Sequence, residues 1–388
     1  MIAELLIAGG GIGGLAAALA ARRAGWEARL FEQAEAFSEV GAGIQLGPNA
    51  TRILREWALL PGELDALVAR PTHLCVRDAL DGRELGRLRF DAFEARYGAP
   101  YVTVHRADLQ QALLHAAQAA GARLCTGRRV EQVSECAEGV RIDGGVEGDA
   151  LVVADGVWSR LRQRVAGDVP PRFTGHVAYR ALARQADLPP ALRASDVKVW
   201  LGPKLHLVRY PVRGGEWLNV VCLVEGRLQG DPREWDQAAA LADLQAAMGP
   251  VCASARELVE AIAQWRLWAL NGRAPVRSAD EMARGRIALL GDAAHPMLPY
   301  LAQGAGMALE DARELERVLA VADGRVVDVG TALRRYALSR WQRCARVQAR
   351  SLRNATIFHA SGPLRVARNA AIRLRGEKLL DVPWLYGG

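Results

Sequence analysis

The chain has 388 residues, 51% of them hydrophobic and 24% charged, with a formal net charge of +7. That is length and apolar content for a large buried core and two domains, and no apolar stretch of about 18 residues or more calls for a membrane span. The six cysteines, Cys75, Cys125, Cys136, Cys222, Cys252 and Cys344, form no C-x-x-C pair and no His-rich cluster. This argues against a zinc centre or a disulfide framework and fits a reducing cytoplasm.

Leu5-Leu6-Ile7-Ala8 reads as a short buried strand that glycine cuts off. It lacks the basic flank and cleavage site of a signal peptide. Gly9, Gly11 and Gly14 then occupy G-x-G-x-x-G positions, with Gly13 in the same loop, and the Ala/Leu-rich run 15–24 follows as a helix. Such a turn brings backbone and a helix N-terminus to a pyrophosphate. A second strand, 28–31, ends at Glu32, placed to accept a ribose hydroxyl. Short strands are predicted over 70–100, a helix from His105 to about Ala120, and strands near 123–124, 130 and 150–153. Residues 170–280 are strand-rich, with alternating patches at 206–210 and 218–221.

The run Ile287-Ala288-Leu289-Leu290 leads into a second glycine-bearing loop, Gly291-Asp292-Ala293-Ala294-His295-Pro296. Two such loops suggest one extended dinucleotide held at both ends, which is FAD rather than NAD. An amphipathic helix runs from Met307 to about Ala322, and the remainder is mostly helical. Residues 321–388 carry twelve Arg and one Lys against three Asp and one Glu, so this tail holds the basic excess. It reads as a solvated helical face or as a steering surface for an anionic cosubstrate, with no accompanying nucleic-acid motif.

Three motifs give the chain a specific resemblance. They are Gly9-x-Gly11-x-x-Gly14 with Glu32; Asp155-Gly156-Val157-Trp158-Ser159-Arg160-Leu161-Arg162; and Gly291-Asp292 with its following loop and helix. Two further stretches, from Gly41 to Ala50 and from His105 to Leu109, support them. Together they resemble the single-component (class A) flavoprotein aromatic hydroxylases, such as the salicylate and 3-hydroxybenzoate hydroxylases, over the whole chain.

The resemblance implies an α/β fold. A Rossmann-like FAD-binding domain is built from separated segments (1–70, 100–168 and 283–322). A mixed β-sheet substrate domain (71–99 and 169–282) is inserted between them, and C-terminal helices (323–388) follow. It also implies FAD as cofactor, NADH or NADPH and O2 as cosubstrates, and a phenolic acid hydroxylated through a flavin C4a-hydroperoxide. Cofactor contacts are expected from Gly9, Gly11, Gly13, Gly14, Glu32, Gln45, Arg106, Asp155, Asp292 and the helix start Gly304-Ala305-Gly306. Arg162 serves NAD(P)H, or is structural. His295 borders the flavin, or is a capped core histidine. No metal and no nucleic-acid partner are expected, and a homodimer is left open.

For the chemistry, His206 and Tyr210 lie four apart in a predicted strand and so share a face. His206 would relay a proton near neutral pH, and Tyr210 would hold the phenol; the alternative is that both pack in the sheet. Met297, Leu298, Pro299 and Tyr300 would form a pocket wall. The His-x-x-x-Tyr-Pro pattern resembles the 3-hydroxybenzoate 6-hydroxylase branch. That branch carries Gln where this chain has Pro299, whose carbonyl accepts but whose ring cannot donate, so the substrate stays open. A heteroaromatic, polycyclic or alkene substrate on the same fold, or a flavin reductase that does not hydroxylate, are the alternatives.

Overall fold

The computed structural model describes residues 2–37, 42–136, 138–227, 231, 233, 236–320 and 328–387. Gly41, the expected helix end at Ala322 and the expected domain boundary at 322/323 lie outside the described residues. The chain forms two compact units, one from Met1–Glu39, Leu109–Arg172 and Gly272–Ser351, the other from Val40–Asp108, Phe173–Asn271 and Leu352–Gly388.

In the first unit a six-stranded sheet runs in the order Ala283–Arg284, Ile287–Leu289, Ala150–Val153, Glu4–Ala8, Glu27–Phe31, Arg123–Cys125. All neighbours pair parallel except the outermost pair at the Ala283 edge. The strand Ala150–Val153 is buried throughout, as is Leu5–Ala8. Continuous apolar runs suit a parallel sheet covered on both faces. Helix Ile12–Arg23 supplies one cover. Its run from Leu15 to Ala21 is wholly buried, and its small alanines allow close packing against helix Gly304–Leu319.

The second unit is built on an eight-stranded sheet. Its order is Gln237–Ala239, Trp265–Gly272, Arg172–Arg184, Trp217–Glu225, Leu205–Val212, Val197–Gly202, His73–Asp78, Glu84–Arg89. Leu205, Leu207, Leu218, Val220, Cys222 and Val224 lie in one core cluster with Leu244, Met248, Leu258 and Val259 of helices Leu241–Met248 and Ala253–Glu260. Strand alternation then turns His206, Val208 and Tyr210 to the opposite face. The antiparallel register sets His206 opposite Leu223, Tyr210 opposite Asn219, and Arg180 opposite Val221, so these side chains share that face.

Residues 40–70 and 100–108, which the sequence reading grouped with the nucleotide domain, are part of the second unit. The reason is local pairing. Gly43–Leu46 forms a ribbon with Val102–His105. That ribbon is stitched to the sheet, where Thr103 Oγ1 donates to the Pro211 carbonyl and Asn219 Oδ1 accepts from the Gly43 amide at 2.7 Å.

Candidate functional site

The first glycine loop sits between strand Glu4–Ala8 and helix Ile12–Arg23, and its glycines are required by geometry. Gly9 has φ +106°, and a Cβ there would lie 2.4 Å from the Ala154 carbonyl oxygen. A Cβ on Gly14 would lie 1.8 Å from the Gly9 carbonyl oxygen, and one on Gly13 would meet Leu290 at 2.8 Å. Gly11 differs, because a Cβ there would meet no atom within 4 Å. Gly11 is also the N-cap residue and offers the helix no side-chain cap. Open space in front of uncapped amides at a helix N-terminus is an anion cradle. Glu32 receives two backbone amides, Gly10 N at 2.7 Å on Oε2 and Ala34 N at 2.8 Å on Oε1. Each oxygen keeps acceptor capacity for a hydroxyl. Gln110 Nε2 steadies the loop by donating to the Gly10 carbonyl at 3.1 Å. These features fit a dinucleotide.

The second loop belongs to the same unit. Asp292 is exposed between buried Gly291 and Ala293, while Asp155 and Gly156 follow the central strand Ala150–Val153. Arg162 is buried, and its Nη1 donates to the carbonyls of Ala293 and Ala294, both at 2.7 Å. It therefore clamps the loop backbone. His295 is also buried, with Nε2 at 2.5 Å from Asp311 Oδ2. The same Asp311 oxygen accepts the Gly291 amide at 3.0 Å, and Oδ1 accepts Arg340 Nε at 2.8 Å. Burial would raise the Asp311 carboxyl, but His295 and Arg340 hold it at about 2. Burial opposes a charge on His295, yet Asp311 and Cys344 keep its pKa well above the ordinary value. His295, Asp311 and Cys344 have metal-ligand chemistry, but the Arg340 guanidinium supplies the positive charge there.

Beyond His295 the loop is strapped down by helix Val329–Phe358. Gln348 Nε2 donates to the Pro296 carbonyl at 3.0 Å, and Ser351 Oγ donates to the Leu298 carbonyl at 2.5 Å. Leu298 and Tyr300 are buried, Met297 is half-buried and Pro299 is exposed. The helix Gly304–Leu319 makes its first backbone bond from the Met307 amide to the Gln303 carbonyl. The amides of Gly304, Ala305 and Gly306 therefore precede the helical ladder and carry its positive end.

The second unit carries the other expected residues. Gln45 Oε1 accepts Tyr101 Oη at 2.6 Å, and Arg106 opens the helix Arg106–Ala119, with its amide donating to the Ala42 carbonyl. Tyr210 is buried and donates its hydroxyl proton to the Gly43 carbonyl at 2.7 Å. What it can still offer a phenol is an oxygen lone pair. Burial pushes its own pKa up to about 12. His206 is buried and meets a second histidine, Nδ1 to Nε2 of His359 at 3.0 Å. Burial, then His359 and His176, drive its pKa well below the ordinary value. His206 is therefore a neutral acceptor at pH 7, not a group that titrates near neutrality.

Sequence reasoning missed Arg180. Its guanidinium lies 3.5 Å over the Trp268 ring, and Nε and Nη1 are buried with no hydrogen-bond partner. Burial lowers its pKa to about 10, still charged at neutral pH. The available signal was a lone Arg in the run Val177-Ala178-Tyr179-Arg180-Ala181-Leu182. Asn219, polar within an apolar strand, carried a similar signal, while Asp311 and Arg340 read as ordinary charges on amphipathic helices.

A profile of the FAD binding domain matches residues 3–350. A 3-hydroxybenzoate 6-hydroxylase from Polaromonas naphthalenivorans (strain CJ2) is 39% identical over 393 residues, covering 99% of this chain and 95% of that protein. Among solved structures, Klebsiella pneumoniae HpxO complexed with FAD and uric acid superposes with a TM-score of 0.85 at 25% identity, over 97% of this chain and 94% of that one. A salicylate hydroxylase substrate complex gives 0.83 at 25% identity, over 100% and 96%.

Proposed function

Because this chain belongs to the FAD binding domain family and is an FAD-dependent aromatic-ring monooxygenase, we propose that its substrate is a hydroxybenzoate-type acid, a small phenol carrying a carboxylate. The observation that carries this reading is one sheet face holding His206, Tyr210 and Arg180. The face presents a neutral base, a hydroxyl whose oxygen accepts, and a buried cation lacking hydrogen-bond acceptors for Nε and Nη1. A phenolic acid has a matching proton to give and a matching negative charge. The similarity to a 3-hydroxybenzoate 6-hydroxylase over nearly the full length of both proteins supports the same class.

FAD, when bound, supplies two-electron reduction by NAD(P)H and activation of O2. We assign its phosphates to the loop of Gly9, Gly11, Gly13 and Gly14, its adenosine ribose to Glu32, and its ribityl hydroxyls to Asp292. Asp155 of the same unit is assigned as a further cofactor contact. The amides of Gly304, Ala305 and Gly306 are assigned to stabilise negative charge on the flavin ring. His206 takes the phenol proton, which makes the ring electron-rich, and Tyr210 orients the phenolate oxygen by turning its hydroxyl proton to it from the Gly43 carbonyl.

An anaerobic titration tests this reading. The flavin absorbance of the holoenzyme is followed while 3-hydroxybenzoate, salicylate and 4-hydroxybenzoate are added, each beside its benzyl alcohol analogue. A charge-assisted hydrogen bond contributes about 1.5–3 kcal/mol. At least one acid should therefore bind on the order of 10–100-fold more tightly than its neutral analogue. Equal affinity for acid and alcohol would overturn the assignment of an acid substrate.

A further inference from the structure

Behind His206 the second unit holds three more ionisable groups in a row toward solvent. His206 Nδ1 and His359 Nε2 are 3.0 Å apart. His359 Nδ1 lies 3.7 Å from Glu225 Oε1, whose side chain is 41% exposed while that of His359 is 1% exposed. His176 lies directly across the sheet from Glu225, with its ring 5.0 Å from that of His359, and is half-buried. Arg368 also presses on His359, and its Nη1 is bound to the Phe358 carbonyl at 2.8 Å. Phe358 packs edge-on against the His206 ring at 5.4 Å, sealing the pair on that side.

We propose that His206, His359 and Glu225 form a proton relay that carries the substrate's phenolic proton from the sheet face to solvent. The proposal rests on the reading of His206 as the group that meets the phenol. Two neutral imidazoles sharing one hydrogen bond have one donor and one acceptor. With His206 Nδ1–H donating to His359 Nε2, His206 Nε2 is a bare acceptor on the substrate side, and His359 Nδ1 carries its proton toward Glu225. One concerted shift then moves every proton along by one place. The phenol O–H bond breaks and His206 Nε2–H forms; His206 Nδ1–H breaks and His359 Nε2–H forms; His359 Nδ1–H breaks and its proton goes to a bridging water, which gives one of its own to Glu225 Oε1 across the 3.7 Å gap, and from there to solvent. Phenolate is left at the site. Both rings end neutral, each with its proton on the other nitrogen, and no charge is lodged inside the protein. The reverse shift returns a proton to the same oxygen of the product and restores the starting tautomers.

Burial supports this arrangement. Desolvation first, then the neighbouring His176 and Arg368, push His359 down to about 3, so the pair resists holding an extra proton while still able to pass one along. A histidine kept only for packing would not need a second imidazole at hydrogen-bond distance and a carboxylate beyond it. His359 is thus a positioning and relay residue acting through His206.

The test uses FAD-loaded enzyme mixed with 3-hydroxybenzoate in weakly buffered solution containing a pH-indicator dye, in a stopped-flow instrument. The wild type should release a proton as the acid binds, and His206→Gln should release none. His359→Gln should bind the acid with a Kd within about twofold of wild type but release the proton at least tenfold more slowly, with the rate partly restored by added imidazole. Glu225→Gln, a change at a partly exposed carboxylate that leaves the fold intact, should slow release several-fold. Wild-type release rates in both His359→Gln and Glu225→Gln would overturn the relay while leaving His206 as the base. A wild type that binds the acid and releases no proton would overturn the phenol-base reading and the relay with it.

Discussion

Asp311 holds the second glycine loop in place, and its removal should be the most damaging single polar change in the first unit. The side chain is fully buried and accepts four hydrogen bonds, from the Gly291 amide at 3.0 Å, His295 Nε2 at 2.5 Å, Arg340 Nε at 2.8 Å and, more weakly, the Cys344 thiol at 3.8 Å. Asp311→Ala leaves the buried His295 imidazolium without its counter-charge and the Arg340 guanidinium with Glu310 alone. Breaking a buried pair in this way costs about 3–5 kcal/mol. For a compact unit of about 180 residues, each kcal/mol lowers Tm by about 2–4 °C, so the fall should be about 6–20 °C. Asp311→Asn keeps an acceptor but loses the charge, and about 1.5–3 kcal/mol is expected. Asp65→Ala is the control. It removes a half-exposed ion pair with Arg70 and should shift Tm by no more than about 2 °C. The assay is thermal unfolding followed by circular dichroism, with FAD fluorescence as a second probe. An Asp311→Ala protein that melts within 2 °C of wild type would refute the reasoning.

Gly9→Ala should purify with little or no FAD, because the new Cβ falls 2.4 Å from backbone at a left-handed φ, and the flavin-to-protein absorbance ratio measures it. The gap in Tm between wild type and Asp311→Ala should depend on pH in a defined way. Asp311 is depressed to about 2 from 3.8, so its contribution is complete above about pH 4 and is lost as pH falls toward 2. His295 is raised from 6.5, so its contribution is present below that value and is lost as pH rises through its elevated pKa. Tyr210→Phe should lower kcat/KM by about tenfold, through the lost bond to Gly43, without moving the pH profile below pH 10, because the tyrosine is pushed up to about 12. Arg180→Met should leave the apoprotein as stable as wild type or more so, since it removes a buried cation with unpaired donors, while weakening acid binding at least tenfold in a flavin titration.

The nucleotide fold was legible because its signals are local. A buried strand, a turn that tolerates no Cβ at Gly9 or Gly14, a helix and an acid at the next strand end all lie within Leu5 to Glu32 and follow from backbone sterics. The shared face of His206 and Tyr210 was legible for the same reason, since strand alternation fixes it. The supporting contacts were not. Asp311 meets Gly291, His295 and Arg340 only through tertiary packing, and in sequence it is one of several acids on an amphipathic helix. His359 sits 153 residues from the histidine it touches. The basic tail looked like a solvated face or a steering surface, yet Arg340 and Arg343 bind Glu310, Arg334 binds Asp280 and Arg365 binds Asp78. Charge counting cannot distinguish an arginine that faces water from one that ties a helix to its neighbour. The placement of residues 40–70 was also beyond local reading, because the ribbon of Gly43–Leu46 and Val102–His105 pairs strands about 60 residues apart.

The most direct test of the central claim is turnover. Purified FAD-loaded protein is given NADH or NADPH in air with salicylate, 3-hydroxybenzoate, 4-hydroxybenzoate or 2,5-dihydroxybenzoate, and reduced-nicotinamide consumption, peroxide and products are measured together. One acid should sharply accelerate oxidation and yield a product with one added hydroxyl and little peroxide. Oxidation that no phenolic acid stimulates, or that ends wholly in peroxide with every acid, would contradict it.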